Sequence, residues 1–197
     1  MENEVKKPAP KFNYVSPEQY LEMERVADEK HEYYEGQIYA MSGASWRHNV
    51  ISKNINTAVL PFLKGKPCDM FGSDLRIHIP ENTLYTYPDF SIICGKPETT
   101  DKEKDIVMNP SAIIEILSKA TKDYDRGTKF NLYRAIPTLN EYILIDSTKI
   151  SVEIFTKQKD GKWILSEFKQ LADSFANSTI GFTLELKDIY EDVSFTE

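Results

Sequence analysis

Two carboxylates in this 197-residue chain stand out, one at the start of an apolar run and one inside another. Asp89 opens the run Pro88-Asp-Phe-Ser-Ile-Ile-Cys94, and Glu115 interrupts Ser111-Ala-Ile-Ile-Glu-Ile-Leu-Ser118. The second run is apolar at both parities, the pattern of a strand covered on both faces, so Glu115 is expected to be buried. A bare carboxylate in low dielectric is costly, and it protonates, pairs with a lysine or arginine, or meets a metal ion. Consecutive strands of a small sheet usually lie close together, which brings Asp89 near. Two carboxylates about 4 Å apart repel by about 4 kcal/mol at an effective dielectric near 20, and a divalent cation between them makes the pair tolerable. All-oxygen ligands favour Mg²⁺ or Mn²⁺ over zinc. An ion held this way can polarise a phosphodiester, lower the pKa of a bound water and neutralise transition-state charge. The plainer alternatives are a structural salt bridge for Glu115 and a turn-capping role for Asp89.

Such chemistry also calls for a cation near the reacting group. The segment from Lys119 to Tyr133 supplies candidates, and on a helix Asp125, Lys129 and Tyr133 recur every four residues on one face. The competing reading of Lys129 is an exposed pair with Asp125, worth about 0.3–0.5 kcal/mol. Glu32 and His48 are secondary candidates. Glu32 either reaches the ion or is a solvated strand residue, and His48 borders the apolar stripe of its helix. Asp74 and Arg76 are spaced for a structural ion pair. Trp46 and the tyrosines read as core or boundary residues rather than base-stacking platforms.

Positioning these groups takes several elements. Val15-Ser-Pro-Glu-Gln-Tyr20 is a helix start: Ser16 can cap, Pro17 suits the first turn, Gln19 completes a capping box, and Val15 can staple onto Tyr20. That helix is expected to run to about Asp28. His31 to Met41 alternates around Glu35-Gly36, as a β-hairpin does. Ile51, Ile55, Ala58, Val59 and Phe62 share one stripe and predict a helix over 45–63. Short strands are expected over 67–71 and 73–79, then the strands bearing Asp89 and Glu115 with a charged loop from Gly95 to Asn109 between them. A helix over 122–135 ends before Pro137. Three further strands follow, EYILID, ISVEIFTK and WILSEFK. The expectation is one mixed sheet with helices packed on it.

Composition sets outer limits. The chain is 41% hydrophobic and 28% charged, ordinary for a globular protein. It has no apolar run of membrane-spanning length and no signal-peptide pattern, so a cytoplasmic location without membrane contact is expected. Cys68 and Cys94 are far apart and outside any CxxC pair; free buried thiols in a reducing compartment are expected in preference to a disulfide. The net charge of −7 argues against indiscriminate coating of nucleic acid, although residues 45–66 carry four lysines and arginines and no acid. A Gly-rich phosphate loop and a GxSxG elbow are both lacking.

Pro88-Asp89, Glu115-Ile-Leu-Ser118, Asp125-Arg126 and Lys129 to Tyr133, in that order, resemble the PD-(D/E)XK nuclease superfamily and, more closely, its Uma family of restriction endonucleases. His31-Glu32-Tyr-Tyr-Glu-Gly36, Ser42-Gly43 with His48, and Gly72-Ser-Asp-Leu-Arg76 extend the likeness across about Ser16 to Lys169. The resemblance implies a single restriction-endonuclease-like α/β domain over 13–197; residues 1–12, polar and proline-containing, read as a flexible leader. It implies a Mg²⁺ or Mn²⁺ ion held by Asp89, Glu115 and the backbone carbonyl of Ile116, a DNA substrate, and a homodimer. Two positions depart from the pattern. Leu117 stands where the superfamily has its third catalytic residue; the Uma family carries that lysine on the following helix, where Lys129 matches, with Lys119 as runner-up. Gln37 stands where relatives commonly carry glutamate. The expected activity is metal-dependent hydrolysis of DNA phosphodiesters. The alternatives are a binding module that kept the fold and lost catalysis and, less favoured, paired-carboxylate hydrolysis of the glycosidase kind.

Overall fold

The computed structural model of the chain describes residues 14–100 and 104–195; the leader expected over 1–12 falls outside them. Ser16 caps α1 (Pro17–Glu24) in a full capping box with Gln19. The helix stops four residues earlier than its sequence suggests. Beyond Glu24 the next apolar side chain, Val26, is 83% exposed, so nothing there holds a further turn against the core. Strands β1 (His31–Tyr34) and β2 (Gln37–Ala40) form the hairpin, pairing Glu32 with Tyr39. Glu35 and Gly36 take positive φ at its turn, and the Tyr14 ring occupies the space where a Cβ on Gly36 would project. Helix α2 (Trp46–Leu63), capped by Ser45, follows.

In place of the single mixed sheet of the sequence reading, the described strands form two large sheets and a separate two-stranded pair. One sheet has the order β2-β1-β5-β4-β7, where β4 is Arg76–Ile79, β5 Leu84–Thr86 and β7 Ile106–Val107. The other has the order β11-β10-β9-β8-β6-β3. Its members are β3 (Cys68–Gly72), β6 (Phe90–Cys94), β8 (Ala112–Leu117), β9 (Glu141–Asp146), β10 (Val152–Lys157) and β11 (Trp163–Phe168). Within the larger sheet β8 and β9 run parallel and the other pairs antiparallel. Strands β5 and β7 and the pair β12 (Ser174–Asn177) and β13 (Phe182–Glu185), with the short α5 (Leu186–Ile189), were not anticipated; each is short, and the periodic signal fades over so few residues.

Strand β8 is buried along its whole length, as its composition requires. Ala112, Ile114 and Ile116 face α2, packing with Ile51, Ile55 and Val59. Ile113 and Leu117 face the opposite way, into a core shared with Ile77 and Leu84 of the smaller sheet and with Phe130 and Tyr133. Glu115 belongs to that second face by alternation. The smaller sheet rests on α1 through Tyr20, Tyr33, Tyr85 and Ile106, with Val15 packed against them.

Three local expectations are corrected. Cys68 and Cys94 form a disulfide, because β3 and β6 pair in a register that sets them directly opposite each other. Asp74 and Arg76 do not pair: the exposed Asp74 takes Lys30 at 2.7 Å, whereas the buried Arg76 donates to the Tyr87 hydroxyl at 2.7 Å and approaches Asp105 at 3.6 Å. Trp46, expected in the core or at its boundary, is 81% exposed.

Candidate active site

The antiparallel register of β6 and β8 runs Ile92↔Ala112, Ser91↔Ile113, Phe90↔Ile114 and then stops. One step further it would set Asp89 against Glu115, and there the ladder gives way to side-chain contacts. Asp89 Oδ2 accepts from the Ile116 backbone N–H at 2.7 Å, and Glu115 Oε2 accepts from the Asp89 N–H at 3.3 Å. The two carboxylates that stood out in sequence therefore meet where the strands part.

Lys129 comes from the element after β8. What reads as one helix over 122–135 is α3 (Lys122–Tyr124), a single π-helical turn (Asp125–Lys129) and α4 (Phe130–Tyr133). The segment crosses the Glu115 face of β8, and Lys129 Nζ lies 2.9 Å from Glu115 Oε1, 3.0 Å from Glu32 Oε1 and 3.8 Å from Asp125 Oδ1. Lys129 is only 5% exposed, which rules out the surface-pair reading. Tyr133, one turn on, donates to Glu115 Oε1 at 2.9 Å. Glu32 reaches the cluster from β1 and accepts from the Thr86 hydroxyl. His48, at the start of α2, places Nε2 3.0 Å from Asp89 Oδ1, while its buried Nδ1 has no hydrogen-bond partner. Lys119 is exposed at the cleft rim. Arg126 turns away and forks onto Glu153 at 2.8–3.0 Å, tying the helical segment to β10. Leu117 packs in the core beneath, on the same side of β8 as Glu115. Gln37 is half-buried at the start of β2.

Charge is unbalanced in this cluster. Burial pushes the Glu115 carboxyl up to about 8; Lys129 opposes the shift, and Asp125 and Asp89 add to it. Burial also raises Asp125. Burial would depress Lys129, yet the carboxylates around it, Glu115 foremost, hold it well above the usual lysine range. Burial thus outweighs the pull of Lys129 on Glu115, because that pull is divided among several carboxylates, whereas their summed attraction on Lys129 outweighs its own burial. Lys129 is the ammonium that Glu32, Glu115 and Asp125 share.

Among the described residues no group of three or more His, Cys, Asp or Glu side chains forms a ready-made metal cage. The donors that converge are the two carboxylates of Asp89 and Glu115 beside the backbone of Ile116. That set suits a hard ion such as Mg²⁺, which is commonly held by one or two carboxylates and keeps several waters. The surplus of carboxylates over cations points the same way. The site opens into a cleft of about 1040 Å³, lined by β2, the 41–45 turn, the first three turns of α2 and the start of α3.

Of the residues singled out in sequence, Asp89, Glu115, Lys129, Tyr133, Asp125, Glu32 and His48 are thus brought together. Thr86 was missed; a threonine in a short, unrecognised strand gives no signal of its own.

The Uma2 family model, described as "Putative restriction endonuclease", matches residues 17–187. An uncharacterised protein of Synechocystis sp., slr1290, is 38% identical over 188 residues, covering 95% of this chain and 97% of that protein. A second from the same organism, sll1609, is 38% identical over 149 residues, 76% of this chain and 84% of its own length. The crystal structure of a putative nuclease belonging to DUF820 from Anabaena variabilis superposes with a TM-score of 0.72 at 17% identity, covering 89% of this chain and 97% of the other, so the two share the mixed α/β fold. With its family model spanning nearly the whole described chain, this protein belongs to the Uma2 family of putative restriction endonucleases.

Proposed function

We propose that the chain is a metal-dependent endonuclease that hydrolyses phosphodiester bonds in DNA, with Asp89, Glu115 and Lys129 as its catalytic groups. The observation that carries this reading is the buried Lys129 ammonium 2.9 Å from Glu115, on the strand whose next residue binds Asp89. An ammonium from the helix thus fills the role that Leu117 cannot.

Asp89 and Glu115, with the Ile116 carbonyl, would hold Mg²⁺ or Mn²⁺. Bound there, the ion supplies Lewis-acid polarisation of the scissile phosphate and favours deprotonation of the attacking water. Lys129 orients that water or stabilises charge developing on the phosphoryl oxygens, and it is pre-aimed because Glu32 holds its other side. Tyr133 fixes the rotamer of Glu115 through its hydroxyl. His48 fixes Asp89 in the same way. One site per chain cuts one strand at a time, so a double-strand cut calls for a two-fold pair of chains.

The test is nicking of supercoiled plasmid with Mg²⁺ or Mn²⁺. Asp89→Ala and Lys129→Ala should each reduce nicking by at least about a hundredfold, the usual effect of removing one such group, with the fold intact by circular dichroism. Nicking at the wild-type rate by both variants refutes the assignment.

A further inference from the structure

We propose that the cleft takes an unpaired stretch of DNA, whose bases stack on Tyr39 and Tyr124 beside the carboxylate cluster, rather than a continuous duplex. This inference rests on the nuclease reading above and narrows its substrate.

Tyr39 lies directly opposite Glu32 in the β1–β2 ladder, and cross-strand partners project from the same face of a sheet. Its ring therefore stands beside the carboxylate that holds Lys129, yet it is 52% exposed. β2 is the edge strand of its sheet, so the exposed ring borders open cleft. Tyr124, which also lines the cleft, immediately precedes the buried Asp125 and is 38% exposed. Its hydroxyl is pushed up to about 12, by burial first and then by the nearby Glu32, and Tyr39 adds to the shift. Two rings from different elements thus flank one carboxylate group. Trp46, at 81% the most exposed aromatic ring among the described residues, begins α2 next to the cleft-lining Ser45.

Charge argues against a duplex. Grip on duplex DNA comes chiefly from lysines and arginines that neutralise phosphates. Among the described residues the lysines lining this cleft are Lys30, Lys119 and Lys129, and the first and last are engaged by Asp74 and by the buried carboxylates. Over the whole chain the charge is −7. A single strand carries half the phosphate charge per length of a duplex, so a cleft with few free lysines penalises it less, and each stacked base adds affinity that a base inside a duplex cannot offer.

Binding of a short labelled single strand and of the blunt duplex of the same sequence is measured by fluorescence anisotropy in EDTA, so that no turnover intervenes. The single strand should bind tighter. Tyr39→Ala and Tyr124→Ala should each weaken single-strand binding by about tenfold, the scale of one lost base–ring stack, while Tyr39→Phe and Tyr124→Phe retain it. With Mn²⁺, a forked substrate should be cut in its unpaired arms. Duplex bound as tightly as the single strand, or alanine variants that bind it like wild type, would overturn the proposal. Cutting of intact linear duplex as fast as the fork likewise overturns it but leaves the nuclease reading standing. Tight, ring-dependent binding of single strands with no cutting under either ion removes the nuclease reading and keeps the stacking cleft.

Discussion

Glu115 receives hydrogen bonds from Lys129, Tyr133 and the Asp89 backbone, yet burial still drives its carboxyl up from 4.5 to about 8. In the metal-free protein this makes stability depend on pH with a definite sign. Below about 4.5 the folded and unfolded chains both hold the proton and the effect vanishes. Between about 4.5 and 8 the folded state keeps a proton that the unfolded state has lost, so stability falls as pH rises, by at most about 1.4 kcal/mol per unit. Urea midpoints measured in EDTA from pH 5 to 8 for wild type and Glu115→Gln should diverge accordingly, the wild type losing ground towards pH 8. Parallel midpoints would mean that Glu115 is ionised throughout. Glu115 itself was legible in sequence because a carboxylate in a doubly covered strand has few outlets. Glu32 was not, since whether a hairpin residue is solvated or engaged depends on how two sheets face each other. The same limit hid the partner of Arg76, which sits between the Tyr20 and Tyr87 rings rather than beside Asp74.

At the scale of elements, the π turn from Asp125 to Lys129 is what lets one short helical segment bring Lys129 and Tyr133 onto Glu115, and Asp125 beside Lys129, while Arg126 straps it to β10. A π turn acts as a one-residue insertion in an α-helix, and such bulges concentrate at functional sites. Deleting Gly127 should restore regular α-helix and rotate everything on one side of it by about 100°. Lys129 and Tyr133, or else Asp125, would then leave the cluster. Plasmid nicking should drop to background while the far-ultraviolet circular dichroism remains near wild type; retained activity would show that the turn positions nothing. Gly127→Ala should act oppositely on stability. A Cβ there meets nothing within 4 Å and φ is not positive, so the fold should gain about 0.5–1 kcal/mol, read as a higher urea midpoint. Helix α2 and strand β8 were readable from periodicity because each is long or apolar enough for packing and pattern to agree. The π turn shifts the phase of the apolar pattern, but the helical pieces on either side of it are three and four residues long, too short for the shift to be read from sequence. The same holds for the division into two sheets, which depends on β5 and β7, strands of three and two residues.

Across the whole molecule, the larger sheet carries the site at one end of β6 and a covalent staple at the other. Phe90, next to Asp89, pairs with Gly72, whereas Cys94 pairs with Cys68 and is bonded to it. This pairing was not legible because the sequence does not fix which strand lies beside β6, and composition alone favoured free thiols. A disulfide also sits uneasily with the expected reducing cytoplasm. Closing a loop over 26 residues should stabilise the fold by about 3.5 kcal/mol on chain-entropy grounds. β3 is the edge strand of its sheet, and β6 remains paired with β8 on its other side, so losing the staple should leave Asp89 and Glu115 in place. Dithiothreitol, or the double change Cys68→Ala with Cys94→Ala, should therefore lower the melting temperature by roughly 7–14 °C, taking 2–4 °C per kcal/mol for a chain of this size. Nicking at 25 °C should be unaffected. Thiol titration of the unreduced, denatured protein decides whether the bond is present: it should find no reactive thiol, and two would mean that the cysteines stay free. If the bond is present but its loss abolishes nicking, β3 contributes to holding Asp89, and the site depends on the edge strand as well as on β8.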